Sequence, residues 1–286
     1  MPLIGNFSLT RLTGLFIVVV IISKIIANGD WENDRHIIGG DIRGYYAYLP
    51  ALFINKHLKF QDLEVYKMSR PGYQVWTKQT KAGTRYIKYT CGMAIMYSPF
   101  FFIADALAIK LGAAPDGFSW PYQMALIVAS IFYLIIGIVF LSKFLLRFFS
   151  DYAVSIALIV LFLGTNLYFY ETKHLTYSHG FSFALICLFL FSATSWFDSF
   201  RLRWAIWMGV SCGLMVLIRP IDIIFTCFVL LYSVNSFVYL RERLRLIWKF
   251  KLHVLVFNGY PATALFQIHF GKLLFLLIQR RILLFQ

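Results

Sequence analysis

Asp41, Arg43, Lys88, His174, His179 and Arg219 are residues of this 286-residue chain whose types suit chemistry and whose places fall between its long apolar runs or at the end of one. A carboxylate can take a proton, a guanidinium or ammonium group can hold an anion, and an imidazole can act on a proton or a metal. Each also has a plainer use. Asp41 directly precedes a helical pattern and suits an N-cap. Lys88 falls in a hairpin, where a lysine is ordinarily just exposed, and Arg43 suits a headgroup contact. His179 stands where a helix start needs a hydrogen bond. Arg219, before Pro220, can anchor at headgroups or pair with Asp222. Asp34 is an alternative acid inside DWENDRH, which reads as a solvated loop. His174 and His179 are five apart and could join Asp41 around a divalent ion, but that spacing is loose and no Cys or carboxylate cluster supports it. No metal or other cofactor is expected.

The chain around these residues is 60% hydrophobic, 19% aromatic and only 14% charged. Too little polar surface exists to cover so much apolar volume in water, so the composition reads as an integral membrane protein. It excludes a disordered chain, a disulfide-stapled secreted domain and a nucleic-acid reader. The net charge of +14 belongs to loops facing anionic lipid rather than to a nucleic-acid partner. Cys187, Cys212 and Cys227 lie in apolar runs and Cys91 has no evident mate, so no disulfide is expected.

A bilayer core needs about 20 mostly apolar residues per helix. Runs at 12–28, 121–142, 152–170, 178–197, 203–218 and 221–240 qualify, with a weaker one at 252–270. The expectation is an all-α polytopic protein with about seven transmembrane helices. The first run reads as an uncleaved span, because Ile25-Ile26 is a poor cleavage site. Residues 92–111 are long enough to cross but carry Pro99 and Asp105. The acid would cost on the order of 2.5–3.5 kcal/mol at the bilayer centre, and the proline breaks the hydrogen-bond ladder. An interfacial helix avoids both. With that segment outside the bilayer, ten Lys and Arg fall in short inner segments against Lys173 and Arg219 in short outer ones, a strong positive-inside bias.

Residues 29–120 then form one long external loop. In it Ile42, Tyr45, Tyr46, Leu49, Leu52 and Phe53 share one helical face, which predicts an amphipathic helix on the membrane surface. YQVWT and TRYIKYT alternate on either side of a Lys/Gly turn and predict a small β-hairpin. The expected organisation is an N-terminal span (1–28), the external loop (29–120), a transmembrane bundle (121–251) and a hydrophobic tail (252–286).

Gly40-Asp41-Ile42-Arg43-Gly44-Tyr45-Tyr46-Ala47-Tyr48-Leu49-Pro50, Lys88-Tyr89-Thr90-Cys91-Gly92, Pro99-Phe100-Phe101, Tyr177-Ser178-His179 and Leu217-Ile218-Arg219-Pro220 come in an order that resembles the GT-C superfamily of polyprenyl-phosphate-sugar glycosyltransferases. The likeness is to a bacterial branch related to protein mannosyltransferases and lipid A aminoarabinose transferases, and covers roughly residues 10–245. It implies a donor whose tail stays in lipid and whose phosphate lies at headgroup level, with a glycan, lipid or protein as acceptor. It also implies a multi-pass protein of a bacterial cytoplasmic membrane with its site on the periplasmic face. Asp41 matches the family's loop-one acid and would be the base, giving attack on the anomeric carbon with inversion. Arg43, Lys88, His179 and Arg219 would bind the donor. One carboxylate plus cations suffices because phosphate is already a good leaving group.

Superfamily members are usually longer, and the text after residue 258 loses the rhythm of span and charged loop, as in a truncated or frame-altered product. Two rival readings predict different things. A transporter or flippase predicts a water-filled path with polar residues at mid-membrane, and the spans 152–170 and 178–197, which carry no Asp, Glu, Lys or Arg up to Phe197 and the single histidine His179, argue against it. A non-catalytic scaffold predicts that Asp41→Asn changes nothing.

Overall fold

The computed structural model describes residues 8–29, 37–58, 60, 77–81, 83 and 85–250. The expectations for Asp34, for the weaker run at 252–270 and for the tail 252–286 lie outside these residues. The chain divides into two units, residues 1–184 and 185–286.

The first unit begins with α1 (Leu9–Asn28), whose buried positions Thr10, Thr13, Gly14, Ile17, Ile21 and Ile25 follow a helical stripe. The opposite face leaves Leu15, Phe16, Val19 and Ile26 exposed, as lipid-facing side chains would be. α4 (Trp120–Leu145) and α5 (Asp151–Gly164) pack on that stripe. The resulting core joins Ile17, Ile21 and Ile25 to Leu134 and Ile138 of α4 and to Val154, Leu158 and Phe162 of α5.

Directions along this core are fixed by its contacts. Ser8 Oγ donates to Asp151 Oδ1 at 2.6 Å, and the Leu9 and Thr10 amides donate to the same carboxylate at 2.7 and 3.1 Å. At the other end of α1, Asn28 Nδ2 donates to the Thr172 carbonyl at 3.0 Å. Gly14 lies against Ile138, so α1 runs antiparallel to α4 and parallel to α5. The run expected as one span at 152–170 is broken. α5 ends at Gly164, and α6 (Leu167–Lys173) continues at 60° to it. Thr165 patches the break, its hydroxyl donating to the Leu161 carbonyl at 2.6 Å and accepting the Leu167 amide at 3.2 Å.

Between α1 and α4 the chain forms α2 (Ile42–Tyr46), a π-helical turn (Pro50–Ile54), the antiparallel hairpin β1 (Thr77–Gln79) and β2 (Arg85–Ile87), and α3 (Gly92–Lys110). A hairpin is therefore present, with β2 inside TRYIKYT but β1 beginning at Thr77, the one residue of YQVWT that is described. The expected helix over 41–54 is present as α2 and the π-helical turn joined through helical backbone at Ala47 and Leu49, and its apolar face is used within the protein: Tyr46 is buried and its hydroxyl donates to the Gly117 carbonyl. Both costs expected in α3 are offset. Pro99 cannot supply an amide to Ile95, but the Ser98 hydroxyl donates to that carbonyl at 2.8 Å. Asp105 receives the Tyr122 hydroxyl at 2.6 Å.

α7 (Ser178–Ser199) runs through the division between units. The second unit continues with α8 (Leu202–Ile218), a 3₁₀ turn (Pro220–Thr226), α9 (Cys227–Leu231) and α10 (Phe237–Lys249). The expected span at 221–240 is not one helix. Pro220 and Asp222 open it as a 3₁₀ turn, Ser233 turns with φ 57°, and Ser236 caps a new helix that buries none of its residues. Among the described residues four helices are long and apolar enough to cross a membrane: α1, α3, α4 and α7. The bent α5–α6 pair makes a fifth. These mark an integral, multi-pass membrane protein.

Candidate functional site

Asp41 does not cap α2: its backbone is already helical and its side chain makes no capping bond. Its carboxylate instead accepts a very short hydrogen bond from the Tyr89 hydroxyl. The ring of Tyr89 lies over Gly44, one turn further along, where any β-carbon would collide with it. It also packs edge-on against Tyr45 with centroids 4.6 Å apart. A second bond returns across the same seam, from the Tyr48 hydroxyl to the Tyr89 carbonyl at 2.6 Å. The segment after the hairpin is thus fastened to the α2 region at both ends of one residue. Burial, and then the bond to Asp41, push the Tyr89 phenol above its ordinary range, so it stays a hydrogen-bond donor at neutral pH. Burial likewise pushes the Tyr48 phenol up to about 12.

Lys88 is exposed, with Nζ 4.6 Å from the centroid of the Tyr89 ring, so a cation stands one ring away from the acid. Arg43 is half-buried and its Nε donates to the Ile38 carbonyl at 3.4 Å, which turns it back toward the start of the α2 segment.

Gly40, in a left-handed conformation at φ 53°, meets Tyr177: a β-carbon there would be 2.5 Å from the Tyr177 hydroxyl. This contact opens onto a cavity of about 310 Å³ lined by Gly39, Gly40, Lys173, His174, Thr176 and Tyr177, with Ile25, Ile37 and Ile127 among its apolar walls. The histidines extend the aromatic surface: His174 packs 5.0 Å from Tyr177, and His179 stacks on Tyr170 at 3.5 Å.

The structure therefore brings Asp41 and Lys88 to one shared residue, Tyr89, and sets Tyr177, which packs against His174, beside Gly40; His179 stacks on Tyr170. Arg219 belongs to the second unit, where its amide donates to the Met215 carbonyl at the end of α8 and its carbonyl accepts the Asp222 amide. Among the described residues no three His, Cys, Asp or Glu side chains gather as a metal site, and all four cysteines are free thiols.

Sequence reasoning missed Glu171. It lies in α6, 1% exposed, with neither carboxylate oxygen hydrogen-bonded, pressed into the space that a side chain at Gly180 would need. An acid immediately after an apolar run, nine residues before a glycine in the next helix, was the available signal. Tyr89 was also passed over, as a β-former.

The fold and these contacts define a polytopic helical membrane protein with a polar pocket beside an acid. In comparisons with known proteins the chain matches no family model, no curated protein and no solved structure.

Proposed function

We propose that this protein is a membrane glycosyltransferase of GT-C type, moving a sugar from a polyprenyl-phosphate donor to an acceptor hydroxyl on the external face. The observation that carries the reading is the fixed placement of the Asp41 carboxylate by Tyr89, one ring from Lys88 and beside a polar cavity with apolar walls. In the proposed reaction Asp41 takes the acceptor's hydroxyl proton, and that oxygen attacks the anomeric carbon. The bond from that carbon to the phosphate oxygen breaks, its electron pair leaving with the polyprenyl phosphate. Lys88 and Arg43 would meet the phosphate charge, and His179 the donor sugar.

Helix directions support the external loop in this reading. Because α1 and α4 run antiparallel, the chain leaves α1 and enters α4 on the same side of the membrane. Between them α3 is the one long apolar helix among the described residues, and a single crossing there would break that parity. A surface-bound or partly inserted α3 keeps Asp41 on the side of His174 and Tyr177, as the contact of its neighbour Gly40 with Tyr177 requires.

The test is sugar transfer by purified protein in proteoliposomes, offered polyprenyl-phosphate hexoses and pentoses. Asp41→Asn is expected to lower kcat by about 10²–10⁴, and Lys88→Gln to weaken donor use. Equal transfer by wild type and Asp41→Asn would remove Asp41 from the mechanism. Absence of transfer by the wild type with every donor would sink the reading itself.

A further inference from the structure

We infer that the groove between α1 and α4, at the end opposite the Asp41 cavity, is a binding site for an anionic phospholipid. The groove has a volume of about 560 Å³, and its charged and hydroxyl residues gather toward one end, beside Leu146. One end presents Arg11 and Lys143 with the hydroxyl residues Ser8, Thr10 and Ser142; the remainder is walled by Leu15, Val18, Ile135, Ile138 and Val139. Two cations above an apolar channel match a phosphate headgroup with an acyl chain beneath it, and match neither a free anion nor an uncharged hydrocarbon.

The groove's construction gives that chemistry its shape. Gly14 forms its floor: a β-carbon there would come within 3.1 Å of Ile138, so α1 and α4 approach closely along this line. Leu15 and Val139 stand on its rim at 61% and 40% exposure, apolar surface that only lipid or a lipid chain would cover favourably. The nearby acid, Asp151, is committed to Ser8 and to the Leu9 and Thr10 amides. The Lys143 Nζ lies 5.5 Å from the centroid of the Phe140 ring, within one turn on α4. Both cations fall on the inner side by charge asymmetry, where anionic headgroups carry the negative surface potential. The site rests on none of the residues assigned to sugar transfer.

Binding can be read by native mass spectrometry and by lipid-dependent shifts in Tm of the purified full chain in neutral detergent. The probes are dioleoyl-phosphatidylglycerol, dioleoyl-phosphatidylcholine and glycerol phosphate. Phosphatidylglycerol is expected to bind and raise Tm, phosphatidylcholine to do so far less, and glycerol phosphate not to compete. Arg11→Gln with Lys143→Gln is expected to weaken phosphatidylglycerol binding by about 30-fold, from roughly 1 kcal/mol for each cation. Val139→Trp, at an exposed position of the groove wall, is expected to block the chain and weaken binding with both cations in place. Arg203→Gln, remote in sequence, is the control and should leave binding unchanged. Equal binding of both lipids, full competition by glycerol phosphate, or undiminished binding in the double variant would each overturn the site.

Discussion

Replacing Gly44 by alanine isolates the contact that fixes the acid. In an ordinary helix this change stabilises by up to about 1 kcal/mol, because glycine loses more backbone freedom on folding. Here the new methyl would overlap the Tyr89 ring, which the Asp41 and Tyr48 hydrogen bonds hold from both sides. Overpacking of this kind costs about 1–3 kcal/mol, so the propensity gain is outweighed and the net change runs from near zero to about 2 kcal/mol destabilising. In a Tyr89→Ala background the obstruction is gone and the same substitution should be neutral or stabilising. The sign of its effect therefore reverses with the partner, a coupling on the order of 1–3 kcal/mol in a double-mutant cycle. Denaturation of the purified variants in detergent measures all four corners. An equal effect of Gly44→Ala in both backgrounds would refute the packing of Tyr89 over this glycine.

Other consequences follow from single contacts. Gly180→Ala should destabilise the protein by about 1–3 kcal/mol through its clash with Glu171, and Glu171→Ala should relieve most of that loss. Tyr122→Phe removes a donor from Asp105 and should cost about 1.5–3 kcal/mol of unfolding free energy. As pH rises beyond about 10 an unfolded tyrosine ionises while the folded Tyr89 phenol keeps its proton, so stability should fall with pH, and less steeply in Tyr89→Phe. Accessibility reporters at residues 81 and 175 should mark one face of the membrane and a reporter at 148 the other; opposite faces for 81 and 175 would contradict the antiparallel course of α1 and α4.

Much of the architecture was legible because its causes are local. Apolar length alone indicated α1, α4 and α7, and alternation around a Lys/Gly turn indicated the hairpin. Breaks inside apolar runs were harder to see. A hydropathy window over 152–170 averages through Gly164-Thr165-Asn166, and one over 221–240 averages through Ser233-Val234-Asn235-Ser236, although both stretches carry turn chemistry. Pro99 and Asp105 argued correctly that α3 needed help, but that help comes from Ser98, a neighbour, and from Tyr122, seventeen residues on. At the candidate site the types of Asp41 and Lys88 were informative. Their proximity depends on Tyr89, whose role comes from a bond across 48 residues that no periodicity encodes.

The carboxylate of Asp151 also bears on how the protein is made. It completes the amino-terminal turn of the first helix, yet Ser8 and Asp151 are 143 positions apart. At synthesis rates of about 5–20 residues per second, the opening helix waits roughly 7–30 s before that acid leaves the ribosome. Until then its leading amides depend on water or headgroups. Final seating of the first helix is therefore a late event in biogenesis, governed by a residue made long after the helix itself.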